Sequence, residues 1–276
     1  MLDDLLQPLA QEFSGALSVA FYDFRTGARY LYQAEATMRA ASLIKLPLLV
    51  LALERASAGA LSLRARYPLR AEDQVGGAGV LQALAPGLAL TLEDLLTLMI
   101  IVSDNTATNM VIDILGEATI NPALQALGLR QTRLVGKLQL PLVQQNAAQR
   151  RGEANATSAL DMLGLLLRLD QGELLAPEYT ALARSILSKQ QYTEALSRYL
   201  PRDAELDAPH VVVASKSGCL RGLWHDAGIV YNASGAPLYV LVVMTDGARD
   251  RSYSFEQEGM MLIAQLSRAV FDRVKD

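Results

Sequence analysis

At 276 residues, with 51% hydrophobic and 20% charged side chains, the chain can bury one large core or two lobes and lies far from compositions that stay disordered. A net charge of -4 and a pI near 5.3 lack the basic surplus needed to neutralise a run of phosphates, which excludes nucleic acid as a partner. One cysteine and two histidines exclude an intramolecular disulfide and a structural zinc cluster.

The N-terminus, MLDDLLQPLAQEF, carries Asp3 and Asp4 where an export signal is positively charged, and the first basic residue is Arg25. The expectation is a soluble chain, cytoplasmic as written or exported with its leader absent. The apolar run from Leu46 to Leu53 contains Pro47 and falls short of the roughly 18 residues a membrane span needs.

Residues 16–24 and 28–33 are rich in strand formers and flank Arg25-Thr26-Gly27, which predicts an antiparallel hairpin. Leu/Ala-rich segments with helical spacing follow at 43–58, 92–102, 105–115, 119–127, 157–170 and 178–189. Thr91 and Asp94 form a capping-box pattern, and Gly116 and Gly128 sit where helices stop. Residues 130–156 predict a long loop, of the kind that carries function. Strand texture returns at 210–217, 225–232 and 237–244, with His210 beginning the first of these, and 254–274 reads as an amphipathic helix.

This order predicts an α/β (α+β) fold, in which an antiparallel sheet built from both chain ends is flanked by helices and carries an inserted all-helical domain. The expected division is 1–41 with 200–276 for the sheet domain and 42–199, including the loop 130–156, for the helical domain.

Three short motifs occur in order: Ser42-Leu43-Ile44-Lys45, Ser103-Asp104-Asn105 and Lys216-Ser217-Gly218. A chain of this length contains roughly one S-x-x-K by chance, but only about 0.05 of an S-D-N and about 0.1–0.2 of a K-[ST]-G, so the ordered set is informative where its first member is not. Ser42 opens the predicted helix, so Lys45 rises one turn above it on the same face. Burial near other cations lowers a lysine's pKa and lets it take a serine proton, while the helix N-terminus favours an oxyanion. Ser103-Asp104-Asn105 falls between two helices; there Ser103 relays a proton toward the leaving group, Asn105 orients substrate and Asp104 turns inward to brace the loop. Lys216-Ser217-Gly218 ends a strand, with an ammonium and a hydroxyl for a carboxylate and a glycine that lets a substrate backbone lie along the edge. The bland alternatives are a cap with a snorkelling lysine, an ordinary interhelix cap and a polar strand end.

With these motifs, and with GAGVLQAL at 77–84, LMIIVSDNTATNMVIDILG at 98–116 and KSGCLRGLWHDAGIV at 216–230, the chain resembles the penicillin-interacting serine enzymes, and within them the class A β-lactamases. The resemblance implies that Ser42 is the acylated nucleophile, Lys45 its base and Ser103 the relay. It implies that Asn105 binds the substrate amide, and that Lys216 and Ser217 hold its carboxylate beside Gly218. The backbone N–H groups of Ser42 and Cys219 become the oxyanion hole, and neither cofactor nor metal is needed. The expected partner is a small molecule bearing a carboxylate, a β-lactam or an acyl peptide or ester.

One departure stands out. Where class A enzymes place a deacylating glutamate, the register puts Leu138, within VGKLQLPLVQQN, which contains no acid; Glu153 comes later in the loop. Gly136 and Ala154 stand where the family braces this loop with a charged pair. The resemblance therefore implies acylation with slow release. The alternatives are a D,D-peptidase-like or esterase activity, and a β-lactam-binding or sensing protein that does not hydrolyse. A Ser42/His225/Asp226 triad is disfavoured because adjacent strand residues face opposite ways, and Cys219 reads as a small semi-buried residue.

Overall fold

The computed structural model describes residues 2–201 and 211–274. Helix α1 (Asp3–Glu12), not anticipated from the sequence, precedes strands β1 (Ala16–Asp23), β2 (Arg29–Tyr32) and the short β3 (Met38–Arg39). A 3-10 turn, Ala41–Ile44, leads into α2 (Lys45–Ser57), followed by β4 (Arg66–Pro68), β5 (Ala89–Thr91), α3 (Leu92–Ile101), α4 (Asn105–Leu115) and α5 (Glu117–Ala126). After the long loop, which holds α6 (Ala147–Arg150), come β6 (Ala156–Thr157), α7 (Ala159–Asp170) and α8 (Pro177–Ser188). The chain closes with β7 (Val211–Leu220), β8 (Leu223–Asn232), β9 (Pro237–Asp246) and α9 (Glu258–Val274). The expectation for His210 lies outside the described residues.

The five long strands form one antiparallel sheet in the order β2-β1-β9-β8-β7, so the first and last parts of the chain meet at the β1–β9 seam. Its register sorts side chains cleanly between two faces. Ala20, Val242, Ala227 and Lys216 stand in one cross-strand row, and that face packs on the central helices. The neighbouring row, Val19, Val243 and Asp226, faces the opposite way, toward α1 and α9, and its member on the edge strand, Ser217, borders the cleft. In α9 the buried Met260, Ile263, Ala264, Ser267, Val270 and Phe271 recur at three- and four-residue spacing, one stripe laid on the sheet. Each large apolar side chain so buried contributes about 1.5–3 kcal/mol.

Helix starts follow local chemistry. Thr91 Oγ1 accepts from Asp94 N at 3.0 Å and Asp94 Oδ2 from Thr91 N at 2.9 Å, the reciprocal box expected from the sequence. Gly116, at φ 79°, both ends α4 and turns the chain into α5, a conformation that favours glycine. Lys216-Ser217-Gly218 does not end its strand: β7 runs on to Leu220, because the tight Arg221-Gly222 link carries the pairing to the hairpin tip. No described helix is long and apolar enough to cross a membrane.

Candidate active site

Strand β7 is the sheet edge facing the 3-10 turn, and the two meet at Gly218. A Cβ built there would lie 2.9 Å from Ser42 N and 3.3 Å from Ala41 Cβ. The absent side chain therefore admits the backbone of residues 41–43, where the sequence suggested room for a substrate backbone. Ser42 lies on this 3-10 turn and not on the α-helix proper; since side chains at i and i+3 eclipse in a 3-10 helix, Lys45 still stands over it. Ala41 takes φ 43°, the left-handed turn that swings the chain from β3 into the site.

Ser103 also sits in the left-handed region, at φ 53°, and presents both its hydroxyl and its carbonyl to the same point. Its Oγ donates to Ser42 Oγ at 2.9 Å. Lys45 Nζ lies 3.0 Å from Ser103 Oγ, 2.5 Å from Ser103 O and 2.9 Å from Asn105 Oδ1. The serine and the lysine of the first motif are thus joined through the hydroxyl of the second. Lys45 is fully buried, and burial first, then the neighbouring Lys216, push its pKa well below the usual lysine value. Lys45 donates to all three while Ser103 gives its hydrogen to Ser42; once the amine is neutral, a turn of the Ser103 hydroxyl aims that hydrogen at the lone pair and frees its oxygen to accept from Ser42.

Lys216 is equally buried, donates to Ser217 O at 2.6 Å, and is brought down to about 8 by burial, with Asp226 holding it up. Asn105 is more constrained than a free substrate ligand: its Nδ2 donates to Gly76 O at 3.0 Å while its Oδ1 takes Lys45, tying the base to the loop at 75–79. Asp104 braces that loop as anticipated, Oδ2 accepting from Val80 N and Leu81 N at 2.7 and 2.8 Å while Oδ1 caps α4. At Gly79, φ 105°, a Cβ would come within 2.3 Å of Asp104 Cγ, so the brace requires glycine.

These groups open into a cleft of about 790 Å³ lined by Ser42, Ser103, Asn105, Ser217, Gly218 and Cys219, with Leu138 from the long loop. Lys45 and Lys216 lie beneath its surface. Cys219 is exposed at the rim, not semi-buried, because the edge strand leaves that row uncovered. Leu138 is held by Asn109 at both backbone groups, N to Oδ1 and O from Nδ2, each 2.8 Å. Glu153 also borders the cleft, but its carboxylate is taken by Arg133 and Arg151 at 3.2 and 2.7 Å.

Carboxamides brace the long loop. Asn155 Oδ1 accepts from Val135 N and Gly136 N at 2.6 and 3.1 Å, and Asn146 Nδ2 and Gln149 Nε2 donate to Val135 O and Lys137 O at 2.7 Å. A Cβ at Gly136 would meet Gln149 and Asn146 within 2.8 Å, so this network leaves no room for a side chain there.

His225 has no hydrogen bond to Ser42, Ser103 or Lys45 among the described residues. Its ring is buried on the helix-facing side, with Nδ1 2.8 Å from Trp224 O and 3.1 Å from Thr245 N and Nε2 2.8 Å from Arg39 O, so backbone groups take up both ring nitrogens. Asp226 points to the other face, where Oδ2 accepts from Leu196 N at 3.1 Å and buried Oδ1 has no hydrogen-bond partner among the described residues. The sequence reading missed Arg39, Tyr192, Glu194, Tyr253 and Phe255 as lining residues, since nothing in their local pattern marks them.

The model of the β-lactamase enzyme family matches residues 1–274. The chain belongs to that family. Members and relatives agree in extent as well as shape. A β-lactamase of Rhodobacter capsulatus is 25% identical over 276 residues, spanning all of this chain and 89% of the relative. The crystal structure of the Sphaerobacter thermophilus β-lactamase superposes with a TM-score of 0.86 at 28% identity, covering 100% of this chain and 98% of that one. A leucine-to-glutamate mutant of PBP-A, solved as an acyl-enzyme complex with penicillin G, gives 0.83 at 27% identity over 99% and 95% of the two chains. Like other β-lactamase-family chains, this one is a serine β-lactamase-like hydrolase by fold and family.

Proposed function

We propose that the protein opens β-lactam amides through an acyl-enzyme on Ser42 and releases the product slowly. The observation that carries the reading is the Ser42–Ser103–Lys45 relay at the floor of the cleft. Ser42 Oγ attacks the lactam carbonyl as its proton passes to Ser103 Oγ and the Ser103 proton passes to the Lys45 lone pair. The ring C–N bond then breaks, the nitrogen leaves with a proton returned through Ser103, and an ester on Ser42 remains. The N–H groups of Ser42 and Cys219 hold the carbonyl oxygen, a role supported by the close approach of Gly218 to Ser42 N. Lys216 and Ser217 attract the substrate carboxylate, and no cofactor is required.

Release needs an activated water. The sequence register assigns that position to Leu138, which borders the cleft and cannot accept a proton, and the nearby loop acid, Glu153, is neutralised by two arginines. That favours a second reading, a β-lactam-binding protein that stalls as the adduct. The likeness to PBP-A, whose leucine-to-glutamate mutant is an acyl-enzyme with penicillin G, agrees with either. A D,D-peptidase or esterase activity would use the same first step with another acceptor.

Incubation with a chromogenic cephalosporin, followed by intact-protein mass measurement, tests the proposal. The expected result is a stoichiometric burst and a covalent adduct that decays slowly. Neither burst nor adduct, or an adduct that survives Ser42→Ala, overturns it.

A further inference from the structure

The aromatic wall of the cleft is unaccounted for by the relay. Four tyrosine and phenylalanine side chains are exposed among the described residues, Tyr192, Tyr199, Tyr253 and Phe255, and three of them, at 38%, 57% and 65% exposure for Tyr192, Tyr253 and Phe255, line this one cleft. Large aromatic surfaces left in water at a concave site mark binding. They are held in place: Tyr192 donates to Val102 O at 3.3 Å, next to Ser103, and the Arg198 guanidinium grips Phe255 O, joining the two segments into one wall.

Glu194 stands on that wall. The cleft has two acids, and Glu153 is paired with Arg133 and Arg151, whereas Glu194 has no hydrogen bond or ion pair among the described residues. It is near enough to Tyr192 to add, after burial and Cys219, to the upward push on that hydroxyl's pKa. The cations near the wall are committed or covered: Arg39 to Asp246 at 3.0 and 2.5 Å, Arg198 to Phe255 O, and Lys45 and Lys216 buried beneath the relay end of the cleft. An electron-rich aromatic surface beside an unneutralised carboxylate is the arrangement that recognises a substituted ammonium.

We propose that Tyr192, Tyr253, Phe255 and Glu194 form a subsite for a positively charged organic group, an ammonium or pyridinium carried by the substrate. The inference rests on the acyl-enzyme reading for the reaction but not for the binding.

Benzyltrimethylammonium and its uncharged isostere 2,2-dimethylpropylbenzene test the two parts separately, with the fluorescence of Trp224, the one tryptophan and a cleft residue, as readout. The ammonium should bind the intact protein about tenfold more tightly than the isostere, and added salt should shrink the difference. Glu194→Gln should cut the difference to the few-fold that the ring faces alone supply, and Phe255→Ala should weaken both. Equal binding by the unaltered protein, or a preference undiminished by Glu194→Gln, overturns the subsite. In a second arm, a pyridinium-bearing cephalosporin should acylate Ser42 about tenfold faster than an acetoxy analogue, and Glu194→Gln should shrink that ratio. If neither cephalosporin forms an adduct while the ammonium preference stands, the acylation reading fails and the subsite does not.

Discussion

Ser103 Oγ lies 2.9 Å from Ser42 Oγ and 3.0 Å from Lys45 Nζ, so one hydroxyl stands between nucleophile and base. Replacing Ser103 by glycine removes the hydroxyl while suiting the left-handed backbone at φ 53°, which costs a non-glycine residue about 1 kcal/mol or more. Ser103→Gly is expected to slow adduct formation by about 10²–10⁴-fold, measured by quenched-flow mass spectrometry, with thermal stability unchanged or slightly raised. Rapid acylation of this variant would show that Lys45 reaches Ser42 without the relay.

Gly218 makes a second, purely steric prediction. Its φ is not in the left-handed region, so alanine meets no backbone strain; the added methyl instead falls 2.9 Å from Ser42 N. Gly218→Ala should push the 3-10 turn from β7 and reduce acylation at least about 100-fold, because small misplacements of a nucleophile are costly. Circular dichroism should remain that of the folded protein, separating displacement from unfolding.

How far the sequence foretold this site follows from the kind of signal each part leaves. The three motifs, the capping box and the strands at both ends of the chain rest on local periodicity and spacing, and the structure brings the three motifs together at one cleft. Helix α1 was not legible because its ten residues, with Pro8 inside and one fully buried apolar position, Leu6, owe their stability to contact with α9 at the far end of the chain. The aromatic wall and the carboxamide bracing were equally silent. Tyr192, Phe255 and Asn155 acquire meaning only when loops distant in sequence close around Ser42, and a lone aromatic or asparagine in a loop carries no period to read.

Leu138 supplies the test of slow release. Its backbone is fixed by Asn109 and its side chain borders the cleft, so a glutamate there is presented to the site without rebuilding the loop. Leu138→Glu should shorten the lifetime of the adduct by at least about tenfold, as a general base contributes 10²–10⁴ where geometry is good, while changing the acylation rate little. Mass spectra taken after excess antibiotic is removed give the decay directly; an unchanged lifetime means that the loop aims position 138 away from the ester.

In the proposed reading Lys216 holds the substrate carboxylate, which sets a pH limit on binding. Burial lowers the lysine's pKa to about 8, so its ammonium is present below that value and lost above it. For substrates with a carboxylate, KM should rise above pH 8, approaching tenfold per unit, whereas KM for an uncharged ester should not follow. Parallel profiles for both substrates would remove Lys216 from carboxylate recognition.

His225 and Asp226, neighbours on β8 that face opposite sides of the sheet, oppose each other in the acid range. Burial takes His225 down from 6.5 to about 4, so between those values the unfolded chain binds the extra proton and stability falls as pH falls. Burial takes Asp226 up from 3.8 to about 6, so there the folded chain holds the extra proton and stability falls as pH rises. Each shift corresponds to about 3 kcal/mol for a fully buried group, and over much of the range from pH 4 to 6 the two slopes cancel. Asp226→Asn keeps the shape and an acceptor for Leu196 N but removes the charge. The variant should melt higher than the parent at pH 7 by several degrees and lose that advantage steeply on acidification from pH 6.5 to 4.5, where the histidine acts unopposed. Melting curves recorded at half-unit intervals for both proteins decide the matter: if they stay parallel, the buried carboxyl is not titrating against the imidazole.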